Sequence, residues 1–120
     1  MATAADYDVV IDAPITLNAG DSDDVALNFD SNINLGVRSV LSYMVDPGPS
    51  GATFTMTLPR GSVADTVIVP STPLPAQSGH VRQEVIDENV LTDPDVLRIT
   101  VTAGSATFSD VVLMHQSDIP

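Results

Sequence analysis

Apolar and polar residues alternate with a period of two along most of this chain, and no segment carries apolar residues at helical spacing. "DYDVVID" sets Tyr7, Val9 and Ile11 against Asp6, Asp8 and Asp12, the pattern of a half-buried strand. "ITLN" follows Pro14 as a short strand, "AGDSDD" reads as a turn, and "VALNFD" places Val25, Leu27 and Phe29 on one face. "INLGVRSVLSYMVD" predicts a long strand in which Gly36 marks a bulge or bend near the start. Its Val37, Leu41, Tyr43 and Val45 share one parity, while Val40 and Met44 fall on the other.

"DPGPSG" has Pro where φ is fixed and Gly where positive φ is easy, and reads as a turn. It leads into "ATFTMTL", with Phe54, Met56 and Leu58 inward and Thr53, Thr55 and Thr57 outward. "DTVIV" is a strand, and "PSTPLPAQSG", residues 70–79, is too proline-rich for a ladder and reads as an exposed loop. "HVRQEVI" and "VLRITVT" are strands around the loop "DENVLTDPD", and "AGS" turns the chain tightly into "ATFSDVVLMHQ". In that last strand Asp110 sits at the parity of Phe108, Val112 and Met114, so either a bulge shifts the register there or its carboxylate is buried and paired.

About eight strands separated by turn signals predict an all-β fold, an antiparallel jelly-roll-like β-sandwich. It forms a single domain over residues 1–120, with an ordered core over 5–116 and a fraying "SDIP" end. A chain of 120 residues buries roughly two-thirds of its unfolded surface, so its core needs neither disulfides nor metal. The sequence has no cysteine, which excludes a disulfide framework, a cysteine zinc site and a thiol nucleophile.

Charge changes the picture most. Sixteen acids, fourteen of them aspartate, face only Arg38, Arg60, Arg82 and Arg98, for a net charge of −12 without a single lysine. With 43% apolar residues the chain is not a disordered acidic tail. Such a charge destabilises the compact state by self-repulsion, which molar salt screens within a few ångströms. Short carboxylates stay well hydrated, whereas lysine exposes an aliphatic stem. The composition resembles that of proteins from salt-in halophiles, chiefly haloarchaea, and their viruses. It lacks a basic footprint for nucleic acid. "MATAADYDVVIDAPITL" has no cationic start and no continuous apolar run, so neither a signal peptide nor a membrane span is expected.

"GHVRQEVIDENVLTDPDVLRITVTAGSATFSDVVL" resembles the closing strands of jelly-roll domains of the carbohydrate-binding-module or galactose-binding-like type. Such jelly rolls also serve as virion decoration, turret and fibre domains. The resemblance covers about a third of the chain and implies architecture rather than activity. Sugar-binding relatives present exposed aromatics, but this chain has no Trp, and Tyr43, Phe29, Phe54 and Phe108 lie in alternating strands as core. Tyr7 is left as a stacking platform.

Candidate chemistry is sparse. Asp21, Asp23 and Asp24 resemble the start of a calcium loop, yet "DSDDVALNFDSN" lacks the Gly and the bidentate Glu of an EF-hand. A solvated turn explains them better, and "DPD" at 93–95 with Asp87 and Glu88 reads alike. Glu84 and Glu88 are the sole glutamates for glycosidase chemistry, and His80 and His115 show no zinc spacing. Ser109, Asp110 and His115 lie on one strand, with Asp110 on the opposite face from the other two, and make no triad. Arg60 in "PRGS" is a candidate anion site. No catalytic residue, cofactor or metal is therefore expected.

The sequence points to a non-enzymatic structural protein of a virus particle or related assembly, located in the virion or otherwise in the cytoplasm. Its partners would be capsid or tail proteins and further copies of itself, with a trimer as one form, and neither nucleic acid nor membrane. A carbohydrate- or cell-surface-binding module is the alternative.

Overall fold

The computed structural model describes residues 3–29, 33–76 and 79–118. The described residues are all-β, with seven strands: β1 (Thr3–Ile11), β2 (Ile15–Asn18), β3 (Ser22–Leu27), β4 (Ser39–Leu58), β5 (Thr66–Leu74), β6 (His80–Ile86) and β7 (Asp95–Asp118). Every pairing is antiparallel, and the long strands β4 and β7 form the spine. The first part of β4 pairs β6 and the last part of β7, which in turn pairs β1. Beyond the middle, β4 pairs β5 and the first part of β7, which pairs β3; β2 pairs the centre of β7.

This continuous sheet folds over on itself. Tyr43 and Phe54 lie eleven positions apart on β4, roughly 36 Å along a straight strand. Their rings nevertheless meet edge to face with centroids 6.2 Å apart, and Phe54 meets Phe108 of β7 at 5.5 Å. Both halves therefore line one core, in which Leu41, Tyr43, Phe54, Met56, Ile99, Phe108 and Leu113 are buried. The fold is a jelly-roll-like β-sandwich in which β4 and β7 each run through both halves.

The bend sits where turns are expected. "DPGPSG" does not reverse the chain: β4 runs through it, with the register slipping between Pro47↔Ala106 and Ala52↔Gly104. Gly51 (φ 78°) and Gly104 (φ 68°) adopt left-handed conformations that side chains disfavour. A Cβ on Gly104 would overlap the Gly51 carbonyl oxygen, so the two backbones touch at the corner. "AGS" is likewise no hairpin, because β7 continues through it.

These irregularities keep one face inward. In β4 the buried positions are odd from Ser39 to Val45 and even from Ala52 to Leu58. In β7 they switch twice, from Leu97–Val101 to Ala106 and Phe108, then to Val111, Leu113 and His115. The second switch is a bulge at Asp110, which is exposed at φ 50°. Val112 and Met114 therefore face outward instead of filling the core. Another bulge in β1, between Val9 and Ile11, buries Ile11 and leaves Tyr7 and Val9 64% and 56% exposed, reversing the expected face.

Two expected boundaries also move. β3 starts at Ser22, so Asp23 and Asp24 lie in a strand; the turn before it is Asn18–Asp21, where the Asp21 amide donates to the Asn18 carbonyl. The expected 70–79 loop begins later, because β5 runs through Pro70 and Pro73 to buried Leu74 as an edge strand, whose free side tolerates proline. Gln77 and Ser78 of that loop, Asp30 of "VALNFD", and Ile119 and Pro120 of the "SDIP" end lie outside the described residues.

Candidate interaction face

In the half formed by β1, the end of β7, the start of β4 and β6, every strand carries apolar residues at outward positions. Tyr7 and Val9 project from β1, Val112 and Met114 from β7, Val40 and Met44 from β4, and Val81 and Val85 from β6. Register aligns them into rows. Tyr7 pairs Met114, Met114 pairs Val40, and Val40 pairs Val85. Val9 pairs Val112, Val112 pairs Ser42, and Ser42 pairs Gln83. Met44 pairs Val81 to begin a third row.

No charge lies within these rows; Arg38, just before β4, and Asp46 within it bracket the outward apolar stretch, both exposed, and the exposed Asp110 lies next to Ser109, the β7 partner of Met44. Val81 and Val85 are 71% and 65% exposed, so water covers this face. Four strands about 4.8 Å apart and some five residues long give a patch of roughly 300 Å². A cleft of about 420 Å³ opens beside it, lined by Asp6, Arg38 and His115 as well as Tyr7, Val40 and Met114.

The two edge strands explain why these residues point out. β6 turns Arg82 and Glu84 inward, where the Tyr43 hydroxyl donates to Glu84 Oε1 (3.1 Å). Burial first, and then the Glu84 carboxylate, push the Tyr43 hydroxyl pKa far up, so it stays a donor. β1 turns Asp6 and Asp8 inward, and Asp8 Oδ2 lies 2.8 Å from Nε2 of buried His115. Inward charges on edge strands protect a sheet from edge pairing.

The other half has the opposite outer surface. Thr53, Thr55 and Thr57 of β4 lie beside Arg98 and Thr100 of β7 and Ser22 and Asp24 of β3. Their polar groups satisfy one another. Ser22 Oγ and Thr100 Oγ1 are 2.9 Å apart, and Thr55 Oγ1 donates to the Val69 carbonyl (2.7 Å). Arg98 donates to both oxygens of Asp24 (2.7 and 3.0 Å), which holds that carboxyl below its usual range.

The residues singled out from sequence are dispersed. Asp21 accepts from the Asn18 amide (2.9 Å), while Asp23 and Asp24 alternate across β3 with Asp24 held by Arg98. Among the described residues no three His, Asp or Glu side chains gather closely enough to hold a metal ion. Arg60 serves as an internal anchor: its Nη1 and Nη2 donate to Asp95 Oδ1 and Oδ2 (2.8 and 3.0 Å), and Nη2 also reaches the Val90 carbonyl (2.9 Å). Burial alone would raise the Asp95 pKa, but Arg60 and the Thr92 and Val96 amides outweigh it and hold the carboxyl low.

Ser109 and Asp110 flank the bulge away from His115, which instead meets Asp8, with Ser117 Oγ at 3.5 Å from Nδ1. That distance is too long for a nucleophile–base bond. Tyr7 is the exposed aromatic that sequence reading anticipates; Tyr43, Phe54 and Phe108 are core, and Phe29 packs against it.

No protein-family model matches the sequence, nor does a curated protein. Solved structures share its fold. A chain of the T13 IBDV viral particle matches with a TM-score of 0.64 at 14% identity, over 96% of this chain and 31% of that chain. A chain of infectious bursal disease virus Gx strain matches at 0.59 and 12% identity, over 98% of this chain and 32% of that one. The CBM22-1 xylan-binding domain of Xyn10C from Paenibacillus barcinonensis matches at 0.56 and 14% identity, over 97% of this chain and 83% of that chain. This chain thus spans about a third of the viral chains' length. At such identities the likeness is one of fold: a jelly-roll β-sandwich found in virus-particle chains and in carbohydrate-binding modules.

Proposed function

We propose that this protein is a non-enzymatic structural component of a virus particle or related assembly, such as a capsid decoration, turret or tail-fibre element, and that it docks there through the apolar outer face. The observation that carries this reading is the uncovered row of Tyr7, Met114, Val40 and Val85 on a chain with a net charge of −12. A contiguous exposed apolar patch rimmed by polar residues marks an interaction site. The shared fold with virus-particle chains supports the setting.

The lysine-free aspartate coat supports a halophilic archaeal virus as the source. Screening of twelve net charges raises stability from low salt to molar KCl, so the melting temperature should climb steeply; a salt-indifferent one would refute the halophilic assignment. Electron microscopy of particles from the source is the test of the role itself. The protein should appear at fixed positions on a lattice or fibre, and a protein found free of every particle contradicts it.

Carbohydrate binding is the second reading, favoured by Tyr7 at 64% exposure and by the fold shared with a xylan-binding domain. Polysaccharide pull-down separates the two: retention that Tyr7→Ala abolishes supports glycan binding, and no retention of the intact chain sinks it.

A further inference from the structure

We infer that the apolar outer face is a self-contact, on which a second copy of this chain packs about a twofold axis with the two β4 strands antiparallel. The inference rests on the reading of this face as a docking surface and names its occupant.

From Arg38, just before β4, the outward residues continue along the strand as Val40, Ser42, Met44 and Asp46, with a cation at one end of this stretch and an anion at the other, roughly 26 Å apart. The pattern is balanced about Ser42. β6 repeats it beside β4, with Val81 and Val85 on either side of Gln83, and Gln83 pairs Ser42. Face-to-face packing of two copies requires a twofold axis lying in the contact plane. Placed across β4 at Ser42, that axis sets Arg38 of each copy against Asp46 of the other, and the Val40–Val85 row against the Met44–Val81 row. Laid along β4, the axis would set Arg38 on Arg38 and Asp46 on Asp46.

Charge favours a second copy meeting this face with the same face. Contact with any acid-coated part of another copy would bury carboxylates against apolar groups without partners. Arg38 is free to change partner, because its links to Asp87 (3.3 Å) and Glu88 (3.8 Å) are exposed pairs, which contribute little. The apolar patch, at roughly 300 Å², suits the centre of a standard interface of about 800 Å² per partner, with the strand ends forming its polar rim.

Sedimentation velocity of the purified chain in molar KCl, across a concentration series, tests this contact. The wild type should sediment as a dimer. Val81→Arg and Val85→Arg, at strongly exposed positions, should raise the dissociation constant by about 30-fold while leaving circular dichroism unchanged. Thr57→Arg, on the opposite outer face, should leave the dimer intact. Arg38→Asp should weaken it by about tenfold, and Arg38→Asp combined with Asp46→Arg should restore it. A wild type that is monomeric throughout the series, or a dimer insensitive to Val81→Arg and Val85→Arg, overturns the contact. A charge swap that fails to restore binding overturns the antiparallel arrangement. The contact and the virion role fail separately: a dimer that no particle contains keeps the first and removes the second.

Discussion

Along β4 the solvent-facing residues change character at the Gly51 corner, from Val40, Ser42 and Met44 before it to Thr53, Thr55 and Thr57 after it. β7 mirrors the change, with Arg98 and Thr100 in one half and Val112 and Met114 in the other. Both halves share one core, so burial inside does not account for the difference. On the threonine face Ser22, Thr100 and Thr55 close their hydroxyls onto one another or onto backbone, and Val67, paired with Thr57, is its exposed apolar residue. The valine and methionine face leaves apolar surface wet, forgoing about 25 cal/mol for each Å² until something covers it. A chain that coats itself with aspartate and still keeps an uncharged row from Tyr7 to Val85 has a surface suited to a neighbour.

The largest effect should come from the corner that creates the two faces. Gly104→Ala adds a Cβ against the Gly51 carbonyl at a left-handed φ, and should cost about 4 kcal/mol in urea denaturation. Without that corner there is no folded-over sheet and no contrast between its halves.

Next comes the Arg60–Asp95 anchor in the polar half. Arg60→Ala leaves Asp95, with a side chain 2% exposed, as a buried unpaired charge, and should destabilise by about 3 kcal/mol. The same pair sets an acid limit. Asp95 has a folded pKa below its unfolded value of about 3.9, so its contribution is complete above that pH and disappears as pH falls through the lower, folded value. Arg60→Ala should therefore flatten the decline in stability below about pH 4, measured by denaturation in buffers of matched salt.

Much of the fold is legible in the alternation, and the errors share one physical cause. "ATFTMTL" reads correctly because that stretch of β4 is regular. "DPGPSG" and "AGS" read as reversals because Gly and Pro signal an irregular backbone without saying whether the chain turns back or bends onward. Only the pairing of Pro47 with Ala106 and Ala52 with Gly104 distinguishes a corner from a hairpin. The bulges at Asp110 and before Ile11 flip parity with no change in composition, so parity alone does not put Val112, Met114 and Val9 on the outer face, whereas Tyr7 is exposed as expected. The Asp110 pattern does permit a bulge, and a bulge is what occurs.

The interaction face left one trace in the sequence. Leu41, Tyr43 and Val45 at one parity, with Val40 and Met44 at the other, make the start of β4 apolar on both sides, as in strands covered on both faces. "HVRQEVI" carried no such signal. Its edge position sends Arg82 and Glu84 inward and the valines out, and edge position is a property of pairing rather than of sequence.

Smaller effects sharpen the contrast between the faces. Val81→Arg should alter the unfolding free energy of the dissociated chain by no more than about 0.5 kcal/mol, since the side chain it replaces is 71% exposed. It should, however, reduce the fluorescence of an apolar dye such as ANS, while Thr55→Ala should leave that signal unchanged. Small as well, Asp24→Asn breaks an exposed ion pair and should cost less than about 1 kcal/mol, with the loss shrinking further in salt.

Tyr7 and Met114 are paired in register on the apolar face, and both react with hydroxyl radicals, so footprinting the protein in its associated and dissociated forms tests the account most directly. Association should protect Tyr7 and Met114 together, and Val85→Arg should return both to full reactivity. Equal labelling of Tyr7 and Met114 in both forms would contradict the claim that this face is the one covered.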